Sequence, residues 1–122
     1  MSYDKGPAGF RTMMGVDVAT AVSLMIALGV DVVGFNCGTI TLDEYVELAK
    51  VYVSTAKGKA QVFAEPNAGK PELVDGQAVY RVTPEEFAAA CQKIHAAGIH
   101  ILGGCCGSTP QHIGAVAGML KS

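Results

Sequence analysis

Tryptophan is absent from this 122-residue chain and only 7% of its residues are aromatic, yet half are hydrophobic. That balance fits one soluble globular domain with a substantial core and excludes a disordered chain. A large excess of either charge is missing as well: nine Lys and Arg against eleven Asp and Glu leave a net charge of −2. With acids and bases mixed along the chain, there is no basic stripe for nucleic acid and no polybasic segment for a membrane surface. No apolar stretch reaches the roughly 18 residues of a spanning helix. The opening MSYDKGPAGFRTMMG also lacks the charged-then-apolar pattern of a secretory signal. These absences lead us to expect a cytoplasmic protein. Cysteine is scarce too, with four residues in all. Without a secretion signal reduced thiols are expected, and clustered thiols in a reducing compartment point to metal binding or chemistry.

What is present is a repeating pattern. Residues 1–16 are glycine-rich and read as an irregular segment, which leaves residues 17–122 as the structured domain. A helix is predicted over 17–29, with Asp17 as its cap, Val18, Ala21, Val22, Met25 and Leu28 on one face, and Gly29 as its stop. VDVVGFN (30–36) follows, β-branched and apolar on both parities, as suits a strand covered on both faces in a parallel sheet. The next helix, 41–57, opens with Thr41 and Glu44 in capping-box spacing and carries Val46, Leu48, Ala49 and Val53. AQVFAEPN (60–67) reads as the second strand, and residues 68–82 as a long turn-rich insert. The third helix, 83–98, starts with Thr83, Pro84 and Glu86 and stops at Gly98. IHILGG (99–104) is the third strand, and Thr109 and Pro110 start a last helix running to Ser122. Strand ends spaced by roughly 30 to 40 residues make a right-handed parallel βαβ series: an α/β chain of three strand-helix units preceded by a helix. Three parallel strands alone leave two open edges.

Ligands of parallel α/β folds gather at the C-terminal ends of the strands. Here those ends are Asn36 and Cys37, then Glu65 and Asn67, then Cys105 and Cys106. Adjacent strand residues point to opposite faces, so Cys105 and Cys106 converge only if the strand has broken into a turn. Gly103, Gly104 and Gly107 permit this through positive φ and close approach. A Cys37, Cys105 and Cys106 set leaves one tetrahedral position open, as catalytic zinc sites do. The plainer alternatives for Cys105-Cys106 are a turn of small residues or a strained vicinal disulfide. Cys91, among alanines in a helix, reads as a packing residue. His95 and His100 read as packing or surface residues. His112, in the first turn of the last helix, reads as a capping or solvent-facing residue within reach of the site. Asn36, Glu65 and Asn67 are candidates for substrate binding, or else shape their turns.

GFNC on one strand, EPNAGKP on the next and GGCCGSTPQHI on the last resemble, in this order, the zinc-dependent homocysteine S-methyltransferase domain family. The resemblance is greatest to the homocysteine-binding domains that work with cobalamin, and it spans about residues 11 to 121. It implies a TIM-type (β/α)8 barrel of which this chain supplies the C-terminal portion, with zinc on Cys37, Cys105 and Cys106. It implies further a homocysteine thiol at the open metal position, and a methyl group arriving from methylcobalamin or a corrinoid protein. The first five barrel strands have no counterpart here. A missing N-terminal half-barrel, supplied by more chain or a partner, or else a homo-oligomer, would complete the fold. The competing expectations are a non-catalytic zinc-binding half-barrel subunit and, more remotely, a redox module using Cys105-Cys106.

Overall fold

The structure is a computed structural model that describes residues 1–121; Ser122, the predicted end of the last helix, lies outside the described residues. Each predicted helix starts where its cap chemistry places it. In α1 (Val18–Ala27) the Asp17 carboxylate accepts from the Thr20 amide, and Gly29 turns the chain away at φ 89°. In α2 (Leu42–Ala56) Thr41 and Glu44 form a reciprocal capping box, and in α3 (Pro84–Ala96) Thr83 and Glu86 do the same behind Pro84. The last helix, α4, spans Pro110–Lys121.

Three parallel strands separate these helices. They are β3 (Val32–Asn36), β4 (Gln61–Glu65) and β7 (Ile101–Leu102), hydrogen-bonded in the order β3-β4-β7. The register pairs Val33 with Val62 and Phe35 with Ala64, and Ala64 in turn with Leu102. Val33, Phe35, Val62 and Ala64 are buried in one cluster with Val22 of α1, with Tyr45, Leu48, Ala49 and Tyr52 of α2, and with Ile94 and Ile99. The opposite sheet face carries Val32 and Ile101, each 44% exposed, and a half-buried Phe63. The expectation of a strand covered on both faces is thus corrected: the helices cover one face only. On the open face the Phe63 ring lies across Gly34, where a Cβ would sit 2.3 Å from it.

Three further corrections concern local structure. Residues 1–16, expected to be irregular, hold an antiparallel hairpin of β1 (Asp4–Gly6) and β2 (Gly9–Arg11). Tyr3 and Phe10 are buried in the main core, so this segment packs with the rest. Its first residue also pairs in parallel fashion with the edge of β3: the Met1 amine donates to the Gly34 carbonyl, and the Asn36 amide donates to the Met1 carbonyl. The turn-rich insert contains a second hairpin, β5 (Glu72–Val74) and β6 (Gln77–Val79). Leu28, expected on the buried face of α1, is 75% exposed and lies just past the helix as its C-cap residue. Among the described residues no helix is long and apolar enough to cross a membrane.

Candidate metal centre

The C-terminal ends of β3 and β7 bring Cys37, Cys105 and Cys106 together, with all three sulfurs within 4.8 Å of one another. The Cys37 and Cys106 sulfurs are 3.8 Å apart. Tetrahedral zinc with Zn–S bonds of 2.3 Å holds its sulfurs about 3.8 Å apart, so this donor set fits that ion in element type and spacing. Cys105 and Cys106 converge because the strand gives way to a turn. The Gly103 and Cys105 amides still donate to the carbonyls of Ala64 and Pro66, prolonging the parallel ladder. The Ser108 amide then donates to the Cys105 carbonyl across a turn whose third residue, Gly107, has φ 79°. Gly103 and Gly104, expected to adopt positive φ with it, do not. They serve instead by lacking a side chain, since a Cβ at Gly104 would lie 2.5 Å from Ser108 Oγ.

Cys37 itself has φ 53°, in the left-handed region. The residue is held there from several sides. The Tyr45 hydroxyl donates to the Cys37 carbonyl, and the Asn67 amide nitrogen of the backbone donates to that same hydroxyl. Asn67, only 4% exposed, spans the two cysteine loops: its Nδ2 donates to the Gly38 carbonyl and its Oδ1 accepts from the Cys106 amide. Asn36 Nδ2 lies 3.8 Å from the Cys105 sulfur as a donor. Glu65 is exposed on the open sheet face beside Gly103 and its charge is felt by the Met1 amine.

Electrostatics separates the sulfurs. Burial pushes the Cys37 thiol up, but hydrogen bonding from Cys106, the Gly38 amide, Asn67 and Cys105 outweighs it and holds Cys37 below the usual cysteine range. Cys106 is held above it, first by hydrogen bonding to Cys37 and then by the charges of Cys37 and Cys105. Between these two sulfurs a negative charge is therefore favoured on Cys37 over Cys106. Cys91 stands apart, fully buried beside Phe87 and Val116, with its thiol pushed up to about 12 by burial. A thiol so placed stays neutral and packs as a small apolar group.

The histidines stay away from the sulfurs. His112 Nε2 donates to the Val82 carbonyl at 2.7 Å, while its Nδ1 accepts from the amide and hydroxyl of Thr109, so it caps α4 and ties that helix to the segment between the second hairpin and α3. His95 and His100 face each other with Nδ1 atoms 3.3 Å apart, at the end of the sheet remote from the cysteines. Sequence reasoning missed Tyr45, and also Tyr80, whose ring packs over Gly107 in the turn after Cys106. Tyr45 was signalled by the buried series Tyr45, Leu48, Ala49, Tyr52 and Ala56, which has helical spacing; nothing local signalled Tyr80.

Residues 1–120 match the family model described as homocysteine S-methyltransferase. The chain is similar to the methionine synthases of Mycobacterium leprae and Mycobacterium tuberculosis, each 35% identical over 106 residues. Those alignments cover 86% of this chain and 8% and 9% of the respective relatives. It is also similar to betaine–homocysteine S-methyltransferase 1 of Danio rerio, 30% identical over 131 aligned positions that cover 96% of this chain and 32% of the relative. The chain thus spans less than a tenth of the two synthases and about a third of the third protein.

Proposed function

Since the chain belongs to the homocysteine S-methyltransferase family, we propose that it forms the C-terminal, zinc-binding portion of a TIM-type (β/α)8 barrel that methylates the sulfur of homocysteine. The observation that carries this reading is the convergence, beyond the ends of β3 and β7, of Cys37 with Cys105 and with Cys106, which is 69 residues further along the chain. Zinc held by these three would act as a Lewis acid that keeps a thiol substrate deprotonated at neutral pH. The chain's own residues do the rest of the positioning. Asn67 clamps the two cysteine loops to each other, so the ligands are placed before any metal arrives. Asn36 donates toward Cys105 and stands at the end of the open sheet face. Glu65, an exposed carboxylate on that face, suits the amino group of the substrate.

The donor we assign is a methylcorrinoid, either methylcobalamin or a corrinoid protein or domain, in accord with the resemblance of the strand ends to cobalamin-linked domains. The open sheet face and its edges call for further strands, from more of the same polypeptide or from a partner, and we place the protein in the cytoplasm. The test is zinc X-ray absorption on the purified chain with and without homocysteine. One zinc per chain that gains a sulfur neighbour when homocysteine is added is the expected result. Zinc that ignores homocysteine would instead favour a non-catalytic zinc-binding subunit, and no zinc at all would overturn the metal assignment.

A further inference from the structure

One buried side chain holds the Cys37 loop from inside the core without touching a sulfur. Tyr45 lies in the first turns of α2, which starts just after that loop. Helix side chains tilt toward the N-terminus of their own helix, so the phenol is aimed back at the residues that precede α2. Its ring is fully buried and stacks on Phe35 of β3, with the ring planes 10° apart and the centroids separated by 6.2 Å. The stack and the helix together fix where the hydroxyl sits. That position joins two strand ends: the hydroxyl donates to the Cys37 carbonyl and accepts from the Asn67 backbone amide at 3.2 Å.

The Asn67 side chain carries the connection onward. Its Nδ2 donates to the Gly38 carbonyl at 3.1 Å and its Oδ1 accepts from the Cys106 amide at 3.0 Å. A continuous line of hydrogen bonds therefore runs from α2 through the loop after β3 and the loop after β4 to the turn after β7. Gly38 adds a steric stop, since a Cβ there would collide with the Tyr3 carbonyl oxygen. The carbonyls of Cys37 and Gly38 are thus gripped by separate donors. Cys37 needs that grip, because a left-handed backbone at φ 53° persists in a non-glycine residue only where the surroundings over-determine it. With the backbone held, the Cys37 sulfur stands 3.8 Å from that of Cys106.

We propose that Tyr45 is a positioning residue of the metal centre: its single hydroxyl, shared between the Cys37 carbonyl and the Asn67 amide, locks the backbone of Cys37 to the Cys106 turn and so sets the spacing of the two sulfurs. This rests on the reading of the cysteines as metal ligands. A spacing that exists beforehand spares the metal the cost of ordering two loops. Partners outside the ligand set typically change metal affinity by about 10–100-fold. Helix α2 thereby acquires a role beyond the core, as the element that begins after the first ligand and reaches back to hold it.

The experiment compares the full chain with Tyr45→Phe, Asn67→Ala and the double variant, and with Thr83→Ala, which weakens the fold at the start of α3 and leaves this line of hydrogen bonds intact. Zinc affinity is measured by chelator competition, and the ligand-field spectrum is recorded after Co2+ is substituted for zinc. Tyr45→Phe keeps the ring and its stack and loses the hydroxyl. We expect it to lose zinc affinity about tenfold or more and to alter the Co2+ spectrum, whereas Thr83→Ala changes neither. The double variant should lose less than the product of the two single losses, because both residues act on one linkage. Unchanged affinity and spectrum in Tyr45→Phe overturn the proposal, as do losses that simply multiply in the double variant. If Tyr45→Phe does not fold, NMR of the unmodified, metal-free chain decides: a slowly exchanging Tyr45 hydroxyl proton close to the Asn67 amide supports the linkage, and its absence refutes it. Failure of the unmodified chain to bind either metal would instead refute the reading of the cysteines on which the proposal rests, so the two failures are told apart.

Discussion

Cys37 pays for its position with a left-handed backbone at φ 53°, a conformation that costs a non-glycine residue on the order of 1–3 kcal/mol. The hydrogen bonds from Tyr45 to its carbonyl and from Asn67 to the Gly38 carbonyl oppose that cost. Replacing Cys105 or Cys106 with serine should abolish tight zinc binding, read as zinc content after dialysis. Cys91→Ser should retain the metal and lose about 1–3 kcal/mol of stability in a denaturant titration, since it buries a hydroxyl among apolar groups. In the reduced, metal-free protein, alkylation followed by mass spectrometry across a pH series should show Cys37 ionising below an ordinary cysteine and Cys106 above it. The signs follow from the hydrogen bonds that favour the Cys37 thiolate over the effect of burial, and, at Cys106, from its hydrogen bond to Cys37 and then the neighbouring thiolate charges. The three cysteines were legible in the sequence because glycines frame two of them and the third ends a strand. The clamp by Asn67 and the cover by Tyr80 were not, because each depends on contacts between loops far apart in the chain.

At the scale of elements, the helices report their starts locally. Thr41→Ala and Thr83→Ala each remove the acceptor of a capping box, and each should cost about 1 kcal/mol, visible as a lowered midpoint in thermal unfolding. Strand β3 is governed by a contact across the sheet. At Gly34 a Cβ would meet both the ring and the backbone carbonyl of Phe63 at 2.3–2.4 Å. The ring could rotate away but the carbonyl could not, so Gly34→Val should destabilise by about 1–3 kcal/mol and disturb the pairing of β3 with β4. The second hairpin shows a signal that was present and went unread. Asp75 and Gly76 have φ of 51° and 79° and join strands of three residues each, as an Asp-Gly pair between two extended runs does in a two-residue hairpin. The first hairpin, at Gly6-Pro7-Ala8-Gly9, is equally short, and neither has enough alternation to declare itself by periodicity.

For the whole molecule, the arrangement of layers matters most. Helices shield Val33, Phe35, Val62 and Ala64, while Val32, Phe63 and Ile101 face the other way with no layer above them. Expressed by itself, the chain should associate as its concentration rises, with Ile101→Lys reducing that association; sedimentation velocity measures both. A chain that stays monomeric at every concentration would mean that this face tolerates water. The edge of β3 is already engaged by Met1 in the geometry of a parallel neighbour, which supports the reading of further strands on that side.

The sequence by itself determined the order of helices and parallel strands, the helix starts, and the identity of the three clustered thiols. Each of these depends on residues within a few positions of one another: a cap and its partner, a run of β-branched side chains, glycines around two cysteines. Only the tertiary structure decided which sheet face is left open, that residues 1–16 pack into the core, and that the cysteine loops are joined by Asn67 and overlaid by Tyr80. Those outcomes depend on which distant segments end up side by side, and spacing along the chain does not encode that proximity.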